Sequence, residues 1–298
     1  MLTFEPITID SVYRLTAFAE RQYTRSCDYT PGNLVMWSRF MQYKYAIASE
    51  TLFISCISQS DISSEAFLIP IGTLPLKESI GMLQEYCQRH NRRLRLTAVP
   101  DDLVQELDSL LPNHKKEQLE NWSDYIYNAQ SLVTLQGKAL NKKRNRYNKF
   151  ISENPQYTYS RYTHSDCKEV LHFLGVKEGC NEERSMRCYE HFQCLATVRN
   201  LDKHPQPSAI IRVNGKIAAF TLAEYFGDTL YIHIEKATRD IPGAAEAINR
   251  LFAEDMLHEH PNLIYINREE DLGDPGLRQA KKAYNPCIML HRYEYLPQ

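Results

Sequence analysis

The sequence predicts an α/β protein with mixed sheets, built as two successive domains. Three observations carry this. Strand-like and helix-like hydrophobic patterns alternate along all 298 residues. From Ser208 onward the order reads β-β-β-α-β-α-β, with Asn214-Gly215 between two apolar runs as a strong hairpin signal. A polar, charged stretch from Pro112 to Glu120 separates the halves and reads as a linker. The predicted domains are residues 1–122 and 123–298, sizes that can each bury a core.

In the first half, Asp10 caps a helix over 10–24, with Val12, Leu15, Ala19 and Tyr23 at helical spacing. Pro31-Gly32 marks a turn. Tyr45–Ile57 and Ala66–Ile71 read as strands of a hairpin or meander. Lys77–His90 is helical and Leu94–Val99 alternates as a strand. Pro100-Asp101-Asp102 then opens a helix through Leu111, with proline first and acids in the first turn. In the second half, Asp124–Tyr127 is a short strand, Tyr157–Tyr162 a strand, and two helices fall near 166–178 and 182–201. After the 209–223 hairpin come a strand (Thr229–Glu235), a helix (Gly243–His258), a strand (Leu263–Asn267), a helix (Pro275–Tyr284) and a last strand (Cys287–Tyr295).

The stretch Gln136–Ile151 holds six cations and no acid. As a helix it would place Lys138, Lys142, Arg146 and Lys149 on an arc of roughly 80°, opposite Leu140, Tyr147, Phe150 and Ile151. A solvated lysine-rich face is the ordinary reading of such a run. Like charges at i, i+4 repel, however, and the interspersed asparagines lower helix propensity; both features suit a polyanion-binding face. The formal net charge of −2 excludes a globally basic nucleic-acid binder, so attraction for phosphate is local. Eight cysteines show no CxxC pair and no zinc-like spacing. They read as reduced, which with an N-terminus unlike a signal peptide points to the cytoplasm. No metal is implied. No apolar run reaches the roughly 18–20 residues of a membrane span, so any membrane contact is peripheral.

The strand order of the second half resembles the Gcn5-related N-acetyltransferases. That resemblance implies a catalytic glutamate on the strand YIHIEKATRD, hence Glu235, and a general-acid tyrosine near the end of the last helix, GLRQAKKAYNP, hence Tyr284. Strand alternation would put Tyr231, His233 and Glu235 on one face. The ordinary alternative pairs Glu235 with Lys236 or Arg239 and gives Tyr284 a packing role. The resemblance also implies a pyrophosphate-binding turn at Asp240–Ala245, with Gly243 and Ala245 as cofactor-binding positions. Here Pro242 lacks an N–H donor and Asp240 adds a like charge, which speaks against coenzyme A. Asn267–Asp274 joins a strand end to a helix, where ligands commonly bind in α/β sheets; Asn267 and Asp271 are the candidates, with helix capping by Asp271 or Asp274 as the alternative.

A closer resemblance rests on GKALNKKRNRYNKF (137–150) with NREEDLGDPGLRQAK (267–281), supported by DYTPGNLVMW (28–37). These segments are similar to soluble relatives of the phosphatidylglycerol lysyltransferase C-terminal domain, a tandem pair of acetyltransferase-like folds related to the Fem transferases. The resemblance implies acyl transfer, most concretely of an amino acid from aminoacyl-tRNA to an amine or hydroxyl on a lipid headgroup, peptide or small molecule. Aminoacyl-tRNA is then the donor and no further cofactor is required. Lys138, Lys142, Arg146 and Lys149 would hold acceptor-stem phosphates of tRNA or another polyanion, with Arg278 and Lys281 extending that surface. An anionic membrane surface is the peripheral alternative. The competing readings are an acetyl-coenzyme A-dependent N-acetyltransferase and a non-catalytic module binding RNA or anionic lipid.

Overall fold

In the computed structural model all residues are described except 23, 59–60 and 176–184. The strands in chain order are β1 (Glu5–Pro6), β2 (Lys44–Ala48), β3 (Thr51–Ile57), β4 (Glu65–Phe67), β5 (Ile71–Gly72), β6 (Leu96–Pro100), β7 (His114–Gln118), β8 (Asp124–Asn128), β9 (Thr158–Arg161), β10 (Ser208–Val213), β11 (Lys216–Phe226), β12 (Thr229–Ala237), β13 (Tyr265–Asn267), β14 (Ile288–Leu290) and β15 (Arg292–Pro297). The helices are α1 (Val12–Ala19), α2 (Pro31–Trp37), α3 (Leu76–Arg89), α4 (Val104–Leu110), α5 (Ala129–Thr134), α6 (Asn141–Glu153), α7 (Cys167–Leu174), α8 (Met186–Arg199), α9 (Ala244–Glu259) and α10 (Pro275–Lys282). Tyr23, Cys180 and the facing ends of the helices expected at 166–178 and 182–201 lie outside the described residues.

The chain forms two α/β units, Met1–Asp124 with Leu290–Gln298, and Tyr125–Met289. This differs from a division into 1–122 and 123–298, because the last segment returns to the first unit. The strand expected over Cys287–Tyr295 is two strands: β14 edges the second sheet, while β15 enters the first sheet between β6 and β7. Burial of Arg292, which is 1% exposed, fastens β15 there. Its guanidinium pairs with Asp28 (3.0 Å) and with Asp124. A buried cation needs such partners, and Asp28 comes from the DYTPGN segment. The expected linker at 112–120 is largely β7, paired with β15 over its whole length. In this first sheet the order is β1-β2-β3-β4-β6-β15-β7, with β5 on β3.

In the second unit the order is β14-β8-β13-β12-β11-β10-β9. The β10–β11 turn has φ +51° at Asn214 and +75° at Gly215, as a two-residue hairpin of this kind requires. The pairs β9–β10, β10–β11, β11–β12 and β8–β13 are antiparallel, whereas β12 and β13 run parallel and pair only from Thr229–Tyr231 to Tyr265–Asn267. Beyond Tyr231, β12 continues for six residues without a β13 partner, and the two strands part. The core of this unit lies between one sheet face and α5, α6 and α9, with Ala219, Ala223, Ile232, Phe150, Ile248 and Phe252 among its residues. Helix α6 begins at Asn141 rather than Gln136, which leaves Lys138 in the bend before it. Cys188 is disulfide-bonded, contrary to the expectation of reduced cysteines, whereas Cys27, Cys56, Cys87, Cys167, Cys194 and Cys287 are free.

Candidate functional site at the parting of two strands

A bulge decides which groups face the gap between β12 and β13. Leu222 pairs with Ile234 but Ala223 pairs with Ile232, so His233 is an extra residue on β12. Glu235 therefore sits opposite Thr221, and Tyr231 opposite Glu224. Thr221 and Glu224 are three apart on β11 and face opposite ways. Contrary to the simple alternation expected from the sequence, Tyr231, His233 and Glu235 thus do not share one face; the bulge turns His233 toward Glu224 and Glu235 toward α9.

On the α9 side, Glu235 accepts from Arg268 Nη2 at 2.6 Å and from Asn249 Nδ2 at 3.1 Å. It does not pair with Lys236, whose ammonium reaches Glu190 at 2.7 Å. Arg268 Cζ lies 4.7 Å from the ring centre of Tyr284 and 5.7 Å from that of Tyr127. With a C–N bond of about 1.3 Å, the Glu235 carboxylate oxygen is within about 9 Å of the Tyr284 ring centre. Burial opposes the Arg268 charge, but Glu235 and the two tyrosines outweigh it and its pKa is raised. Burial pushes the Tyr284 phenol well above its ordinary range, so it stays protonated. Lys143 completes the group, with Nζ 4.1 Å from the Tyr284 ring centre and 3.2 Å from Glu246. Burial lowers its pKa against the opposing pull of Glu246. The cavities lined by residues 42–95 with Pro297, by residues 154–241 and by residues 161–259 include neither Glu235 nor Tyr284.

On the other face, His233 is sandwiched. Its Nδ1 is 2.7 Å from Glu269 and its Nε2 is 2.8 Å from Glu224, whose second oxygen is 2.7 Å from His204. Two carboxylates on one ring require both nitrogens protonated. Burial works against that charge, but the carboxylates prevail and raise the His233 pKa to about 10. Glu224 is likewise held at about 2, burial being outweighed by the two histidines.

The remaining candidates divide clearly. Gly243 has φ +86°, and a Cβ there would meet the Arg146 carbonyl oxygen at 2.4 Å and Phe150 Cβ at 2.8 Å. The start of α9 is thus packed against the α6 backbone at this glycine. Ala245 is exposed. Arg146 reaches Glu246 at 3.3 Å and Lys149 reaches Glu153 at 3.6 Å, both with mostly exposed side chains; Lys138 and Lys142 are exposed. Arg278 and Lys281 do not extend this cationic surface. Arg278 grips Asp271 through two bonds of 2.8 Å, and Lys281, 7% exposed, donates to the carbonyls of Arg268 (2.6 Å) and Glu270. Asp271, buried and also accepting from Tyr125, is held at about 2: burial opposes its charge and Arg278 and Tyr125 prevail. Asn267 is fully buried and accepts from the Glu269 N–H. Asp274 caps α10 by accepting from the Leu277 N–H at 2.9 Å. Asn267, Asp271, Arg278 and Lys281 therefore fasten the loop that carries Arg268 and Glu269. Sequence reasoning missed Arg268, Asn249 and the pairing of Lys143; the available signal was an Arg-Glu pair directly after a parallel strand.

Comparison with known proteins gives consistent results. The model of the family "Phosphatidylglycerol lysyltransferase, C-terminal" matches residues 20–295. A conserved protein of unknown function from Bacteroides thetaiotaomicron is 30% identical, with a TM-score of 0.90 and complete coverage of both chains. L-PGS from Bacillus licheniformis shares the fold at 15% identity and a TM-score of 0.66, over 96% of this chain and 91% of that one. An uncharacterised protein of Mycoplasmoides gallisepticum is 21% identical over 181 residues, 58% of this chain. The match spans only 56% of that curated relative's length. Among the described residues, no helix is long and apolar enough to cross a membrane.

Proposed function

The chain belongs to the phosphatidylglycerol lysyltransferase C-terminal family, and from that premise we propose that it transfers an aminoacyl group from aminoacyl-tRNA to an amine or hydroxyl acceptor. Family and tandem acetyltransferase-like fold support acyl transfer as the reaction class. The observation that carries the choice of donor is the seating of α6 on Gly243. In acetyltransferase folds the corresponding helix start receives the cofactor pyrophosphate through free N–H groups. Here a carbonyl oxygen and a phenylalanine lie against it. The Ala244 N–H is donated to Ile241, and Pro242 has none to give. The same helix offers Lys142, Arg146 and Lys149 to solvent, a surface suited to the phosphates of an RNA stem.

In this reading the acceptor N–H or O–H attacks the ester carbonyl. Its proton passes to Glu235, displacing the longer hydrogen bond from Asn249. The tetrahedral oxyanion draws on the positive charge of Arg268. On collapse, the C–O bond to the ribose 3′ oxygen breaks, and that oxygen takes the Tyr284 proton. Lys143, whose ammonium Nζ lies 4.1 Å from the Tyr284 ring centre, returns a proton to the phenolate, and the proton held by Glu235 passes through solvent to Lys143, which restores all three groups. The test is incubation of the full chain with tRNAs charged with labelled amino acids, in the presence of lipid extract or a simple amine. Label moving from the tRNA into the extracted lipid or the added amine supports the reading. Release no faster than in the blank, alongside saturable acetyl-coenzyme A binding, would replace it with N-acetyl transfer.

A further inference from the structure

The N-terminal unit holds a cavity that aminoacyl transfer leaves without a role. Its volume of about 650 Å³ lies in the range of small-molecule sites. Lys44, at the start of β2, lines it together with Arg92, Arg93 and Arg95 from the run between α3 and β6. Four cations meet one lining acid, Glu65, an excess of three positive charges (four minus one). Glu65 is taken by Arg92 at 2.6 Å. Arg95 reaches Asp61 only at 3.8 Å, and Arg93 donates to the backbone oxygen of Gln298 at 2.5 Å. Lys44 has no ion pair among the described residues. Like charges gathered in a concave site repel one another and focus a positive potential, which an anion relieves. The planar guanidinium fork matches phosphate oxygens in particular.

Two further features narrow the ligand. Ile57, Ile62 and Pro297 give one part of the lining an apolar character, so the ligand carries an organic part beside its charge. Cys56 also lines the cavity, but burial pushes its thiol well above the ordinary range. The thiol stays protonated, which leaves binding rather than covalent chemistry. We propose that this cavity binds a phosphate ester through Lys44, Arg93 and Arg95. The proposal does not depend on the reaction argued above. A soluble phosphorylated compound and a phospholipid headgroup share this chemistry, and the experiment separates them.

Full-length protein is titrated with inorganic pyrophosphate by calorimetry at low salt, and sedimented with phosphatidylglycerol or phosphatidylcholine vesicles. The expected result is saturable pyrophosphate binding with a Kd below about 1 mM, weakened at least about tenfold in Arg93→Gln/Arg95→Gln. The same loss is expected in Lys44→Gln, an exposed position that provides an independent check on folding effects. Lys142→Gln/Arg146→Gln should bind as the wild type does. Sedimentation with phosphatidylglycerol only, lost in the Arg93/Arg95 variant, identifies the headgroup as the source; pyrophosphate binding without sedimentation identifies a soluble ester. Absence of pyrophosphate binding, equal affinity in the Arg93/Arg95 and Lys44 variants, or loss only in the α6 variant overturns the proposal. So does an RNA stem that needs Arg93 and Arg95 while pyrophosphate fails to bind.

Discussion

Replacing Gly243 by alanine tests whether that glycine serves packing or a cofactor. Gly137 supplies the control, because its φ of +87° nearly equals the +86° of Gly243 while a Cβ on it would meet nothing within 4 Å. Both substitutions force alanine into the left-handed region, at a cost of about 1–2 kcal/mol. Only Gly243→Ala adds overlap, at 2.4 Å from the Arg146 carbonyl and 2.8 Å from Phe150 Cβ. Neither contact is the end of a flexible side chain, so α6 must move, and overpacking of this kind costs about 1–3 kcal/mol more. The expected losses are thus about 1–2 kcal/mol for Gly137→Ala and about 2–5 kcal/mol for Gly243→Ala. Urea unfolding at unchanged m-value measures them, with Tm falling by roughly 4–20 °C in the second variant. Equal losses in the two variants would refute the packing argument. An acetyl-coenzyme A affinity present in the wild type and abolished by Gly243→Ala would return this turn to the cofactor.

The His233 cluster sets a pH window. His233 is raised from 6.5 to about 10, so its contribution is complete below about 6.5 and lost as pH rises through about 10; Glu224, lowered from 4.5 to about 2, contributes above about 4.5 and loses its contribution as pH falls through about 2. The urea midpoint should therefore fall between pH 7 and 10, and His233→Leu should cost roughly 3–5 kcal/mol at pH 6 while flattening that fall; an identical slope in both proteins counts against the cluster. For the cationic face, Lys142→Gln/Lys149→Gln should make the log K against log salt slope for an RNA stem shallower by about 2 units. An unchanged slope would return α6 to an ordinary solvated surface. Glu235→Gln should lower the transfer rate about 10²- to 10⁴-fold with little change in affinity for charged tRNA, and full activity in this variant would remove Glu235 as the base.

Local signals made much of the fold legible. Asn214-Gly215 marked its hairpin because only a few residues accept two positive φ angles in succession. The helices α3, α9 and α10 announced themselves by periodicity, caps and a leading proline. What stayed hidden depends on partners distant in the chain. His-Lys-Lys-Glu-Gln reads as a linker, yet it is β7, an edge strand whose charged side chains face water. Helix α5 has six residues, too few to show a period. Arg292 cannot reveal from sequence that Asp28 and Asp124 will surround it. The bulge at His233 is a matter of register between two strands, and one strand alone does not encode it. The positions of Glu235 and Tyr284 could be named from the resemblance, but the arginine joining them could not.

The loop after β13 ties the parting strands together on both faces at once. Arg268 bonds to Glu235 on the α9 side, and the next residue, Glu269, bonds to His233 on the other. Consecutive residues of extended backbone face opposite ways, and Glu269, where the chain turns out of that run, holds a left-handed φ of +58°. A non-glycine residue holds such an angle when its surroundings over-determine it. Here they do: Asn267 accepts from the Glu269 N–H, Lys281 donates to the carbonyls on either side of Glu269, and Asp271 is locked to Arg278. The carboxylate, guanidinium and phenol are thus positioned by a network that already exists without substrate. Charges fixed before the reaction need no reorganisation when an oxyanion forms. Under the function proposed above, selection among donors falls to the exposed cations of α6, and Glu246 links the two sets, because it pairs with Lys143 beside Tyr284 and with Arg146 on the exposed face.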